Sequence, residues 1–311
     1  MTKAVRDGFG EALAELGARN KDIVVVDADL KDSIRLSAFA EKFPERFIEV
    51  GVAEQNLAGV AAGLALSGKT VFLASYAAFS PAINWNTIRI SICYSGANVK
   101  IVGAHAGLMT AEYGASHEGT EDIALMRVLP GMVILVPADF DRAKALTELA
   151  AGYKGPVYLR LARPETPLIK CGMQNVQCKI GGSEVLQEGQ ELTIVSCGPI
   201  ITEVIKAISL IGQIGVELIN CYSVKPLDKT TILRSAAKTG KVLTVEDHSV
   251  IGGLGGAVAE LLAKEYPLPL KILGVPDVFG ESARNWEELL GKYHLDSKGI
   301  AETIRRLLAK T

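Results

Sequence analysis

From residue 23 onward, short runs of β-branched and apolar residues alternate with longer helical patterns, and this alternation restricts the chain to parallel sheets covered by helices. In the first half the strand-like runs fall at 23–28, 46–50, 70–75, 99–104, 133–137 and 157–161. Helical patterns lie near 33–42, 54–67, 79–95, 120–129 and 139–152. Runs that are apolar on both faces fit strands buried inside a parallel sheet. Ahead of them, Val5, Phe9, Leu13 and Leu16 share one face of an amphipathic helix. From about 163 to 190 the alternation stops, and Pro, Gly and polar residues follow without periodicity, as in a linker. A second unit then supplies strands at 191–197, 215–221, 241–246 and 270–275, with helices at 199–212, 228–238, 254–265 and 297–309. The expected fold is α/β, with two domains, 1–163 and 191–311, each a mostly parallel sheet flanked by helices, joined by a 164–190 linker.

Charge and composition exclude several classes. Lys plus Arg number 33 against 35 acids, and no long basic run offers a nucleic-acid footprint, so nucleic acid is not an expected partner. The start lacks the apolar core of a signal peptide, and no apolar stretch of spanning length is free of charge, Gly or Pro. A soluble, cytosolic protein without a membrane partner is expected. Cys93, Cys171, Cys178, Cys197 and Cys221 are odd in number, scattered and without a CxxC pair, which reads as reduced packing residues.

Several short motifs carry chemistry. In GVAEQN at 51–56, Glu54 follows a strand and a glycine and opens an Ala-rich helix; a first-turn acid favoured by the helix dipole would look the same. Tyr76 and Phe79 in SYAAF stand three apart at a strand-to-helix junction, a spacing that equally suits core packing. The loop 102–122 holds two of the four histidines, His105 and His117, where a solvated role is the alternative. Arg6 on the first helix and Arg163 after YLRLA read singly as a solvated face and a linker charge. The cluster GGLGG at 252–256 is not GxGxxG and does not follow a first strand, so it reads as close helix-to-strand packing rather than a dinucleotide site. His248 beside it is read as structural.

Taken in order, these motifs resemble the transketolases over the whole chain, and more widely thiamine-diphosphate enzymes such as deoxyxylulose-phosphate synthase and the beta subunits of 2-oxo-acid dehydrogenases. The resemblance implies a thiamine-diphosphate-binding fold, here the pyrimidine-binding domain, followed by a transketolase C-terminal-like domain. It assigns Glu54 to the aminopyrimidine ring, where a carboxyl stabilises the imino tautomer that draws the proton from the thiazolium carbon. Tyr76 and Phe79 would enclose that ring, with Ala82 in place of a third aromatic. His105 and His117, twelve residues apart, would face the reacting end of the sugar. Arg6, Ser33 and Arg163 would hold its phosphate, and Asp29 would face the sugar or support the cofactor pocket. The chain departs from the pattern at Tyr113, where an acid usually meets a substrate hydroxyl, and at Glu118, where Gln usually follows the second histidine.

The GDG motif and downstream Asn that hold Mg²⁺ and the diphosphate are not in this sequence. The resemblance therefore implies a separate N-terminal subunit carrying them, in an α2β2 heterotetramer. Its activity would be transfer of a two-carbon ketol unit from a ketose phosphate to an aldose acceptor. The alternatives are a beta-type 2-oxo-acid dehydrogenase subunit and a catalytically silent thiamine-diphosphate-binding partner.

Overall fold

The computed structural model describes residues 1–170 and 178–309. Its strands are β1 (Thr2–Ala4), β2 (Ile23–Asp27), β3 (Phe47–Glu49), β4 (Thr70–Tyr76), β5 (Val99–Ala104), β6 (Val133–Leu135), β7 (Val157–Arg160), β8 (Glu165–Pro167), β9 (Glu184–Gln187), β10 (Leu192–Ser196), β11 (Val216–Asn220), β12 (Ser223–Lys225), β13 (Val242–Ser249) and β14 (Leu270–Val275). The helices are α1 (Val5–Arg19), α2 (Ser37–Lys42), α3 (Glu54–Leu66), α4 (Trp85–Thr87), α5 (Asp122–Arg127), α6 (Phe140–Gly152), α7 (Ile201–Ile211), α8 (Lys229–Thr239), α9 (Leu254–Glu265), α10 (Trp286–Lys292) and α11 (Ser297–Ala309). None of the helices among the described residues is long and apolar enough to cross a membrane.

Two mostly parallel sheets carry the fold, as the alternation predicts. The first has strand order β12-β6-β7-β5-β4-β2-β3 and is parallel except for β12. Ile23 and Val25 face a core built with Phe9, Leu13 and Phe39 of α1 and α2, while Val26 joins Leu57 and Ala61 of α3 on the opposite face. Both faces are thus dry, which is why the strands read as unbroken apolar runs. The second sheet, β14-β13-β10-β11-β9, is parallel except for its β9 edge. The two units share apolar packing, because Val195, Ile219 and Val224 belong to the same buried cluster as Val71 and Ile101.

Five short elements escape the sequence pattern, beginning with β1. The 164–190 segment read as linker carries β8, paired with β1, and β9, which edges the second sheet. Strand β12 leaves the second unit to pair antiparallel with β6 of the first. Helix α10 was also unforeseen, although Asn285 caps it by accepting from Glu288 N at 3.0 Å. Two expected helices are shorter. The first begins only at Ser37, because Arg35 sits in the left-handed region at φ 68°. The second begins at Trp85 and continues as a π-helical segment, Ile88–Tyr94; Pro81 disfavours helical backbone at Ser80.

The GGLGG cluster does permit close packing. A Cβ at Gly253 would meet Glu246 Oε2 at 2.1 Å, and one at Gly255 would meet Ile272 Cγ2 at 2.5 Å. The space is used by Glu246, whose carboxyl accepts the Leu254 and Gly255 amides at the start of α9 at 2.6 and 2.7 Å. Cys93, Cys178, Cys197 and Cys221 are free thiols, as expected, while Cys171 lies outside the described residues.

A buried ion pair of the first unit, Arg160 with Asp122, also reaches the second unit through a backbone carbonyl. Arg160, 4% exposed at the end of β7, donates from Nε to Asp122 at 2.9 Å and from Nη2 to Asp247 O at 2.7 Å. Replacing it as Arg160→Met leaves the Asp122 carboxylate buried and unpaired, and should cost about 3–5 kcal/mol. Guanidinium unfolding should show the loss, together with faster hydrogen exchange in the 105–120 loop.

Candidate functional site

In an open parallel sheet, ligands bind beyond the carboxyl ends of the strands, where the connections diverge. Here the chain leaves β2 for β3 on one side and returns as β4 on the other. The loop after β2 and the end of β4 therefore face one crevice. Across it the hydroxyls of Ser33 and Tyr76 lie 2.7 Å apart. Behind β4, Glu54 opens α3 and is buried to 7%. Ser75 Oγ donates to its Oε1 at 3.3 Å, and Asn84 Nδ2 holds its backbone carbonyl at 3.1 Å.

Strand β5 ends at Ala104, and His105 follows at φ 55°, a left-handed position for a residue that carries a side chain. Its ring lies 4.1 Å from the Tyr76 ring. Its Nε2 stands 3.4 Å from Ser33 Oγ and 3.5 Å from Arg6 Nη1. Because the guanidinium can only donate, Nε2 accepts and the proton sits on Nδ1, which is buried without a hydrogen-bond partner among the described residues. Burial first, then Arg6, Arg163 and Arg35, holds this imidazole down at about 3. It is therefore neutral at neutral pH.

His117 arrives from the far end of the same loop. It meets the edge of Phe79 at 5.1 Å between ring centres and stacks on Tyr113 at 5.2 Å. Tyr113 in turn lies under the Arg163 guanidinium, 5.1 Å from its carbon. Arg163 donates to Glu112 at 2.5 Å, and Arg6 to Ser33 O at 2.9 Å. The structure thus joins Arg6, Ser33, Tyr76, Phe79, His105, His117 and Arg163 in one continuous set of contacts. Glu54 reaches this set through Ser75, the residue before Tyr76.

Asp29 stands apart. It is exposed at φ 61° with its amide donating to Glu49 Oε1 at 2.9 Å, and with Ser33 and Glu49 it borders a hollow of about 530 Å³. His248 donates from Nδ1 to Ser249 O at 2.7 Å and accepts the Ala124 amide at 3.3 Å; this fits the structural role expected of it.

The comparisons with known proteins agree with this arrangement. The transketolase pyrimidine-binding domain family matches residues 1–168, and the transketolase C-terminal domain family matches residues 181–300. The chain belongs to the transketolase family. Membership implies dependence on thiamine diphosphate. A Methanocaldococcus jannaschii protein described as a transketolase C-terminal section is 43% identical over 99% of this chain and 97% of its own length. A 6-deoxy-6-sulfo-D-fructose transketolase subunit of a Clostridium species is 40% identical over 95% of this chain and 92% of its own. Among solved structures, a split-gene transketolase described as an inactive β4 tetramer superposes with a TM-score of 0.91 at 44% identity, covering 98% of each chain.

Sequence reasoning left three groups unnoticed. Asp27 ends the apolar strand β2 fully buried, where burial and neighbouring Glu49 raise its carboxyl to about 7. A charged residue closing an otherwise apolar run was the available signal. Arg35 and Glu112 sit beside Arg6 and Arg163, a proximity that only folding creates. Glu118, noted only as a departure from the family pattern, is 3% exposed, with no hydrogen bond of normal geometry to either carboxyl oxygen among the described residues. The second unit closes over it, Gly280 so near that a Cβ there would collide with Oε2.

Burial, then the Asp247 charge, raises Glu118 to about 7. In the unfolded chain it ionises near the ordinary carboxyl value, so folding binds the extra proton, and stability is lost as pH rises toward 7. Glu118→Gln removes that loss. The variant should match the parent near pH 4, gain on it as pH rises, and keep a constant lead of a few degrees in Tm above pH 7, measured by thermal unfolding across pH.

Proposed function

We propose that this chain is the pyrimidine-binding and C-terminal half of a divided transketolase, moving a two-carbon ketol unit from a ketose phosphate to an aldose acceptor. The observation that carries the reading is the convergence on one sheet edge of a buried carboxyl, an aromatic wall, two loop histidines and a cluster of arginines. The first sheet with its helices would form the pyrimidine-binding half and the second sheet the C-terminal half, dividing within 164–190.

The residues present fit the pyrimidine end of thiamine diphosphate. Glu54 offers a carboxyl that is nearly removed from water yet, among the described residues, held by a long contact from Ser75. Tyr76 and Phe79, 5.9 Å apart and tilted by 28°, offer the flat apolar wall that an aromatic heterocycle needs. When bound, the cofactor supplies the carbanion chemistry by which a carbon–carbon bond is broken and remade. Glu54 would hold the ring in the tautomer that activates it. His105, kept neutral, has one proton to donate, and with His117 it would bind oxygen at the reacting end of the sugar. Arg6, Ser33 and Arg163 would hold the distal phosphate and so position the reacting carbons. Tyr113 stands where an acid is usual, which favours a ketose whose hydroxyl pattern differs from the common one. Asp29 would support the sugar from the rim.

The diphosphate and Mg²⁺ would be held by a separate N-terminal subunit bearing GDG and its downstream Asn, in an α2β2 assembly. The sequence of this chain contains no GDG, and relatives described as a C-terminal section and a split-gene product support the division. That the 44% identical relative is an inactive tetramer of one chain type supports it further.

Co-expression with such a partner, followed by assay with ketose phosphate plus aldose, tests the reading. A parallel assay with 2-oxo acids and a redox dye separates it from the dehydrogenase alternative. In the reconstituted complex, Glu54→Gln should lower kcat by at least ~100-fold, within the range that proton-transfer groups contribute. Unchanged turnover would overturn the assignment.

A further inference from the structure

A cavity of about 260 Å³ opens beside the site, with Arg6, Arg35 and Arg163 on its walls together with Asp7, Glu112 and Trp286. Three guanidiniums around so small a space repel one another. The strain registers at Arg6, which burial and then the Arg35 charge push below its ordinary value, with a smaller push from Arg163. Such a cluster persists when carboxylates or other anions sit among the cations.

Two of the three arginines hold internal carboxylates. Arg35 Nε donates to Asp7 Oδ1 at 2.6 Å, and Arg163 Nη1 to Glu112 Oε2 at 2.5 Å. Arg6 makes no ion pair among the described residues; its Nη1 rests on the Ser33 carbonyl, and its Nε is buried without a partner. The Arg163–Glu112 pair is solvent-accessible, with Glu112 53% exposed, so it can exchange. The Asp7 contact occupies only Arg35 Nε, while Nη1 makes a long bond of 3.3 Å to Asp32 O. The outer edge of Arg35 therefore remains for a ligand.

Local backbone strain puts Arg35 in this place. It is held at φ 68°, and helix α1 carries Gly10 where the Arg35 backbone presses in. A Cβ at Gly10 would lie 2.4 Å from Arg35 O and 2.6 Å from Arg35 Cβ. Left-handed backbone at a residue with a long side chain persists only where the surroundings over-determine it. Here it directs a third guanidinium toward the pair already matched to a substrate anion.

We propose that Arg35 is a third, specificity-determining donor for the terminal oxyanion of the substrate, and that Glu112 is the internal competitor which that oxyanion displaces from Arg163. This rests on the proposed reading that the substrate's distal end enters this cavity. The ligand chemistry is a tetrahedral oxyanion on a short sugar chain, whether a phosphate ester or a sulfonate. Displacing Glu112 exchanges one ion pair for another, so entry of the anion leaves no buried charge unmatched.

Trp286 provides a reporter, since the chain has only one other tryptophan, Trp85. In the full chain carrying Trp85→Phe, inorganic phosphate and, separately, methanesulfonate should each change the Trp286 fluorescence saturably, and the tighter of the two names the terminal group. Arg35→Gln should weaken the tighter anion about 10-fold, the loss expected for one charge-assisted contact, while Arg35→Lys recovers part of it. Glu112→Gln should tighten it several-fold. In the reconstituted complex, Arg35→Gln should raise KM for the anion-bearing ketose about 10-fold with kcat unchanged, and leave KM for the ketose lacking that group as it was.

Native anion affinity and native KM in Arg35→Gln would overturn the assignment and leave Arg35 as a partner of Asp7 alone. Absence of tightening in Glu112→Gln would overturn the competitor role, and silence toward both anions in the folded parent would overturn the whole. Ketol transfer that is indifferent to Arg35 removes this inference and leaves the proposed activity standing. Anion binding that depends on Arg35 in a complex without ketol transfer does the reverse.

Discussion

A single buried guanidinium governs how this molecule is put together. Arg160 leaves water at the end of β7, and its charge is tolerated there because both oxygens of Asp122 and two backbone carbonyls surround it. Tyr158 adds its hydroxyl to Asp122 at 2.6 Å. These partners come from β7, from the start of α5, from the 105–120 loop and from β13 of the second unit. None can shift without stranding a charge or a polar group. Since Leu108 N also donates to Asp247 Oδ1 at 2.8 Å, the loop that carries both site histidines is clamped between the two units rather than left to solvent.

That clamp explains why the second unit matters to a site it barely lines. Its sheet supplies Asp247, its Gly280 covers Glu118, and its helix α10 sets Trp286 against the arginine cavity. The cost is an accumulation of buried acids whose ionisation burial opposes: Glu246, Asp247 and Glu118 are all raised, to about 7, 6 and 7. Glu246 spends its position on the amides that open α9. His248, pushed down to about 4 by burial, remains neutral among them and hydrogen-bonds to the backbone.

On the opposite side of the crevice the backbone itself is under tension. Asp29, Arg35 and His105 all adopt left-handed conformations, at φ 61°, 68° and 55°, although none is glycine. His105 follows β5 against Tyr76 of β4, Arg35 borders the arginine cavity and Asp29 the hollow beside Glu49, and such outliers persist where the surroundings over-determine the backbone. For His105 the sheet is part of those surroundings, at the crevice that the crossover between β2 and β4 creates.

By itself the sequence determined the plan of two units, each a mostly parallel sheet flanked by helices, and the candidate residues for a site. Parallel strands were legible because both of their faces are dry, as in the IVVV of β2, and long helices because their apolar faces recur with the helical period. Motif order singled out Glu54, Tyr76, His105 and His117 as candidates, and the structure brings them into one set of contacts. Strands β9 and β12 were not legible, since an edge strand of three or four residues acquires its meaning from a partner that the local pattern does not name. The short start of α2 was hidden for a similar reason, as a positive φ at Arg35 is imposed by packing against Gly10 and not by local preference. Only the tertiary structure decided which charges meet: Arg163 with Glu112 and Tyr113, Arg35 with Asp7, Arg160 with Asp122 and Asp247. Electrostatic partners are set by distance in space, and distance in space between residues 28 to 87 apart in the chain exists only once the sheets have formed.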